Sequence, residues 1–181
     1  MIDQIQPGSV GTIPDGEGVK NARLQGILRY WNEKRGDGAM PSLRQIDPLE
    51  IPKLLPIILI ADILPASTTM RLMGTDATNA YGRETRGRDV RELNLGDFSP
   101  FWQEAFTLVR GSGKPALATG PYRNGLELLD AESVLVPLSD DGTTITHVLG
   151  GLLIRPAPCM VGAPRTMRTA IAPGRLARAA T

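Results

Sequence analysis

The chain has 181 residues, 41% of them apolar, and a net charge of +1. That is enough for one core-forming domain and too apolar for a disordered chain. A single cysteine (Cys159) and a single histidine (His147) exclude an internal disulfide and a Cys/His zinc cluster, and leave His147 as the only imidazole for a nucleophilic triad.

Residues 1–18, rich in Gly, Pro and Asp, read as a disordered N-terminal tail. They contain no basic segment followed by an apolar run, so no secretory signal is expected. From Asn21, the spacing Leu24, Ile27, Leu28, Trp31 marks one face of a helix, with Asn21 as N-cap and Gly36 as its stop. Asp47-Pro48-Leu49-Glu50 is a second helix start, cut short by Pro52 and Pro56. Ile57–Leu64 reads as a strand. It belongs to the longest apolar stretch, Leu54–Leu64, which contains Pro56 and Asp62 and falls far short of the ~20 residues of a membrane span. A cytoplasmic protein is expected.

Pro65–Thr68 is turn chemistry, and Thr69–Met73 is the second strand of a hairpin. Gly74-Thr75-Asp76 opens a short polar helix that Gly82 ends after Tyr81. A polar, arginine-bearing stretch follows to Leu93. Asp97 or Ser99 then caps a longer helix to about Gly111, on which Phe98, Trp102 and Phe106 lie four apart. Three alternating segments follow, roughly 115–123, 126–138 and 143–154, with Asp140-Asp141-Gly142 as a tight hairpin signal between the last two. Residues 155–181 hold five arginines and no acid, so the other 154 carry 15 basic and 19 acidic side chains, a net of −4. The expected division is a tail over 1–18, a domain over 19–156 and a basic Ala/Arg/Pro tail over 157–181.

The fold class is α+β: a five-stranded antiparallel sheet with a helical insert between strands two and three, plus an N-terminal flanking helix. This order resembles the Per-Arnt-Sim (PAS) domain. The residues that carry the likeness are Arg71-Leu-Met-Gly-Thr75, Asn79-Ala-Tyr-Gly-Arg83 and Gly87-Arg-Asp-Val-Arg-Glu-Leu93. Upstream, Tyr30-Trp31, Asp47-Pro-Leu-Glu-Ile-Pro52 and Leu54-Leu-Pro56 resemble a narrower group of small stand-alone alphaproteobacterial PAS proteins. The resemblance implies a sensory role, a small internal cavity, and dimerisation through a flanking helix, here through Leu24, Leu28 and Trp31.

Two functions follow. The first is a non-enzymatic sensor that binds an unknown small ligand in the cavity and relays its state by protein contact as a homodimer. Met70, Arg71, Leu72, Tyr81, Trp102 and Phe106 are its candidate ligand-binding residues. The second is a ligand-free adaptor, its cavity filled by its own side chains, working through its surface and through a basic tail that docks on an acidic protein partner. A covalent flavin switch needs a cysteine in the helical insert, and none lies between 75 and 111; a haem would want a histidine in 97–111, where there is none. Haem and a covalent flavin are therefore not expected, and the cofactor is otherwise unknown. The arginines at 83, 86, 88 and 91 read either as solvated charge pairs or as an anion grip. The body offers no basic face for nucleic acid. No constellation argues for catalysis; Asp62 is the one isolated acid in an apolar strand, and a site using it would need it as a buried base.

Overall fold

The computed structural model describes residues 8–156, except 15, 83, 125 and 126. The basic tail, residues 1–7 and Arg83 thus lie outside the described residues. The strands are β1 (Ser9–Thr12), β2 (Ile58–Ile63), β3 (Thr68–Met73), β4 (Ala116–Asn124), β5 (Glu127–Leu138) and β6 (His147–Pro156). They form one sheet in the order β1-β4-β5-β6-β2-β3, every neighbouring pair antiparallel. Three helices flank it: α1 (Ala22–Arg35), α2 (Thr75–Tyr81) and α3 (Ser99–Ser112).

β6 runs through the middle of the sheet, between β5 and β2, and its centre is the pair Gly150-Gly151. Successive residues of a strand face opposite sides. A side chain at Gly150 would run into Leu135 and Leu59; one at Gly151 would run into Ile27, Leu24 and Ile57. The bare strand lets both layers approach the sheet at its centre.

On one face lies α1. The Asn21 carboxamide accepts the Arg23 backbone N–H at 2.9 Å, Lys34 and Arg35 occupy the last turn, and Gly36 ends the helix at φ +52°. Leu24, Ile27, Leu28, Tyr30 and Trp31 are buried against Ile57, Ile58, Ile60, Val134, Val136 and Leu149. The Trp31 indole N–H donates to the Pro137 carbonyl at 2.7 Å. The opposite face carries α2 and α3, with Phe98, Trp102, Phe106, Met70, Leu59 and Leu135 at its centre.

Four sequence expectations differ. Residues 9–12, expected in a disordered tail, form β1 on the edge of β4, so the sheet has six strands among the described residues. β1 gains its partner from residues 116–119, far along the chain, and no local signal reports that. Neither Asp97 nor Ser99 caps α3. A 3₁₀ turn at Gly96–Phe98 leads into it, and the Ser99 hydroxyl instead accepts the Leu95 N–H at 2.6 Å. The two-residue hairpin at Asp140–Gly142 is a loop over 139–146, since Leu138 pairs with His147. Finally, Leu24, Leu28 and Trp31 are covered by the chain's own sheet, so these three side chains are not a dimer surface. A helix stripe packs on the nearest apolar layer, and here that layer is the same domain.

Asp141 organises the 139–146 loop. Its carboxylate accepts from the Ser139 hydroxyl and from the backbone N–H groups of Thr143 and Thr144 at 2.6–2.9 Å. These donors, the two backbone amides foremost, hold its carboxyl well below the usual range. The folded value is depressed, so the stabilisation is present at neutral pH and fades as pH falls below about 4. Asp141→Asn is expected to lower the melting temperature at pH 7 and to flatten its fall between pH 4 and 2. A wild-type pH profile in thermal unfolding would remove this role. Gly151→Ala is expected to cost about 1–3 kcal/mol through overpacking against α1. An unchanged denaturation midpoint would show that α1 does not rest on the bare strand.

Candidate functional site

The layer between α3 and the sheet is where the sequence places a ligand cavity. The strands present small residues there: Ala116 and Ala118 on β4, Ala131 and Ser133 on β5, Gly150 on β6. The α3 side presents large ones. Phe98 and Trp102 are fully buried and Phe106 is 4% exposed. Trp102 and Phe106 meet edge to face, ring centroids 5.3 Å apart at 79°. The Trp102 indole N–H donates to the Ser133 hydroxyl at 3.2 Å. A buried indole needs such a partner, and the one serine on this stretch of β5 supplies it.

Of the six candidate ligand residues, Met70, Trp102 and Phe106 come together in this layer, and Tyr81 lies half-buried against it. Arg71 and Leu72 do not; both are exposed. The reason is a β-bulge. Ile60 pairs with Leu72 and Ala61 with Met70, so Arg71 is an extra residue that breaks the alternation. The Arg71 guanidinium instead holds Asp62 at 2.6 Å. The Asp62 side chain is a quarter exposed and also faces His147 Nε2 at 3.5 Å. Asp62 is therefore an ion-paired group, not a buried base. The other ring nitrogen of His147 lies 2.9 Å from the Thr146 hydroxyl.

Sequence reasoning missed Tyr122, which is 6% exposed and donates its hydroxyl to the Ala80 carbonyl at 3.1 Å, tying β4 to α2. Burial pushes its phenol upward. The alternation Ala116, Ala118, Tyr122 already pointed it inward. It also missed Thr85, which is buried with its hydroxyl unpartnered among the described residues. That position sits in an irregular loop, where no periodicity reports burial.

A groove of about 340 Å³ opens beside this layer, between α3 and the 3₁₀ turn Val90–Glu92. Phe106 and Val90 wall both the groove and the core. Two arginines at its rim are already engaged. Arg91 pairs with Asp89 at 2.7 Å and donates to the Ala66 carbonyl, and Arg110 donates to the Pro65 carbonyl at 2.6 Å. Arg91 holds the Asp89 carboxyl below its ordinary range. Arg86 and Arg88 are exposed and make no ion pair among the described residues. No described group of three or more His, Cys, Asp or Glu side chains is placed to hold a metal. No described helix is long and apolar enough to cross a membrane.

The Thr85 hydroxyl gives a direct test of the packing. An unpaired buried hydroxyl is costly, so Thr85→Val is expected to leave stability unchanged or raise it by about 1 kcal/mol. A loss of that size would show that the hydroxyl has a partner in solution.

A family model described as PAS domain matches residues 19–153. No curated protein sequence matches the chain. Among solved structures, the chain is similar to an RNA-binding Light-Oxygen-Voltage receptor, at 18% identity over 81% of this chain and 38% of that one, with a TM-score of 0.48. It thus spans well under half of that receptor. A Light-Oxygen-Voltage domain studied with a flavin analogue matches at 13% identity over 59% of this chain and 82% of that one, TM-score 0.48. A fungal Light-Oxygen-Voltage domain photoreceptor matches at 17% identity over 76% and 96%, TM-score 0.44.

Proposed function

The chain belongs to the PAS domain family of sensory signalling modules, and from that premise we propose that it relays its state by protein–protein contact, without catalysis, around an interior packed by its own side chains. The observation that carries this reading is Trp102. It is fully buried, is stacked edge to face on Phe106 and has its N–H satisfied by Ser133. A small molecule could enter that layer only by displacing a satisfied indole and refilling a close-packed core. The surface, not the interior, then distinguishes one signalling state from another. A partner acts by binding two conformations of the domain unequally.

A second reading, in which a small ligand is sensed, rests on the groove beside Phe106. Because Phe106 and Val90 belong to both groove and core, a rotamer change at Phe106 would connect the two.

Denaturing the purified protein and analysing the released material by mass spectrometry separates the readings. No stoichiometric small molecule is expected; one that comes off at unit stoichiometry would replace the first reading by the second. Trp102→Ala is expected to cost about 3–5 kcal/mol by chemical denaturation and to open a dry pocket that takes up indole. A loss below about 1 kcal/mol would mean that Trp102 does not fill the interior.

A further inference from the structure

β6 outruns its neighbour. β2 begins at Ile58, opposite Gly151, whereas β6 continues to Pro156. The Leu152 N–H still donates to the Ile57 carbonyl at 2.9 Å, but the Ile57 N–H turns back to the Leu54 carbonyl at 3.0 Å and the chain before it leaves the sheet. Backbone groups of a strand point alternately to one side and the other. Leu152 points away from β5, so Ile154 does too, while Leu153 and Arg155 face their β5 partners Glu132 and Asp130. The pairing with β5 keeps one register through to Pro156. Among the described residues, nothing accepts the Ile154 N–H or donates to the Leu152 and Ile154 carbonyls. An edge of this kind is a template for a further strand.

A groove of about 490 Å³ lies along this edge. Leu152, Leu153, Ile154 and Arg155 all line it. Side chains of a strand alternate between its faces, so four consecutive residues share a groove only along the backbone edge. One wall is the start of α1, with Asn21 and Arg23; the other is α2, with Asp76 and Asn79. Arg23 and Asp76 meet at 3.1 Å and tie the walls together. The edge is thus a slot, and the slot decides what can enter. A second copy carries its own β6 between the same two walls, so two such edges cannot meet. In a two-fold pairing about Ile154, moreover, the Leu152 carbonyl would face Pro156, which has no N–H. The next residues in the sequence, Ala157-Pro158, include neither Gly nor Asn for the positive φ of a tight return turn. A separate extended segment meets neither obstacle.

We propose that this slot takes up an extended segment of a partner protein as an added strand, antiparallel to β6. One residue of the segment would pair with Ile154 through two backbone bonds, and the residue two positions on would donate to the Leu152 carbonyl. The first would set an apolar side chain beside Ile154, since paired residues share a face. Its neighbours would face the α1 side, beside Leu153, Arg23 and Arg155. Each of these guanidinium groups holds a single carboxylate and keeps donors to spare, so an acid is favoured there. This rests on the reading of the domain as a protein-contact relay and names the partner's chemistry.

The test is a display library of random octapeptides screened against the full chain, followed by a backbone N-methyl scan of the strongest binder. Enriched peptides are expected to carry an apolar residue with an acid beside it. N-methylation should weaken binding about tenfold at one residue and again at the residue two positions on, and leave it unchanged at the residue between. In the free chain the Ile154 amide should exchange quickly with solvent, and the peptide should slow it about tenfold or more. The Leu153 and Arg155 amides, already in the β5 ladder, should be slow with and without peptide. Absence of enrichment, or a methyl scan without that period of two, would overturn the proposal. So would an Ile154 amide already protected in the free chain. Protection that persists on dilution would make residues 157–181 the occupant, and protection lost on dilution would make it a second copy. A small molecule released at unit stoichiometry on denaturation is a separate result, and it would overturn the relay reading itself.

Discussion

Everything in this domain is arranged around two residues without side chains. Gly150 and Gly151 sit at the centre of the central strand, and each faces a different layer. A sheet covered on both sides must place two packed layers against one backbone, and sheet-to-helix distance is set by what the strands present. With no Cβ on either face, Leu135 and Leu59 close over one side while Ile27 and Leu24 close over the other. The glycines weaken the strand locally. Pairing with both β5 and β2 compensates, because both sets of ladder bonds are buried.

The two layers serve different ends. The α1 layer is locked from several directions. The Trp31 indole N–H reaches a β5 carbonyl. The Tyr30 hydroxyl accepts the Asp47 N–H and donates to Glu50, each at 2.8 Å, and Lys34 closes on Glu50 at 2.6 Å. These contacts bind the irregular stretch between α1 and β2 to the helix. Lys34 first, then Tyr30, holds the Glu50 carboxyl below its ordinary range. The helix expected to couple and dimerise is therefore an inward-facing layer of its own domain. The α3 layer is a fit of large aromatics into a floor of Ala, Ser and Gly. Its polar needs are few and mostly met, with the Thr85 hydroxyl left over.

Much of this was legible one segment at a time. The Asn21 cap and the Leu24, Ile27, Leu28, Trp31 stripe located α1 almost to the residue. Gly82 in the left-handed conformation ended α2, as its position predicts. Asp47 accepts the Leu49 N–H, as the Asp-Pro start requires. The four-residue spacing of Phe98, Trp102 and Phe106 put all three in the core. Strand and helix periodicities point Met70, Trp102 and Phe106 inward, and all three lie in the layer under α3.

The sequence by itself determined the type and approximate limits of α1–α3 and β2–β6, the apolar face of each helix and the order that marks the PAS family. Those signals lie within a few residues, where capping, turn chemistry and side-chain periodicity act. Only the tertiary structure decided that β1 joins the sheet, that Arg71 bulges outward and carries Leu72 with it, that Asp62 is paired, and that α1 is sealed beneath its own domain. Each depends on a partner brought near by folding: β4 for β1, β2 for the bulge, Arg71 for Asp62, and the bare strand of Gly150-Gly151 for the helix that rests on it.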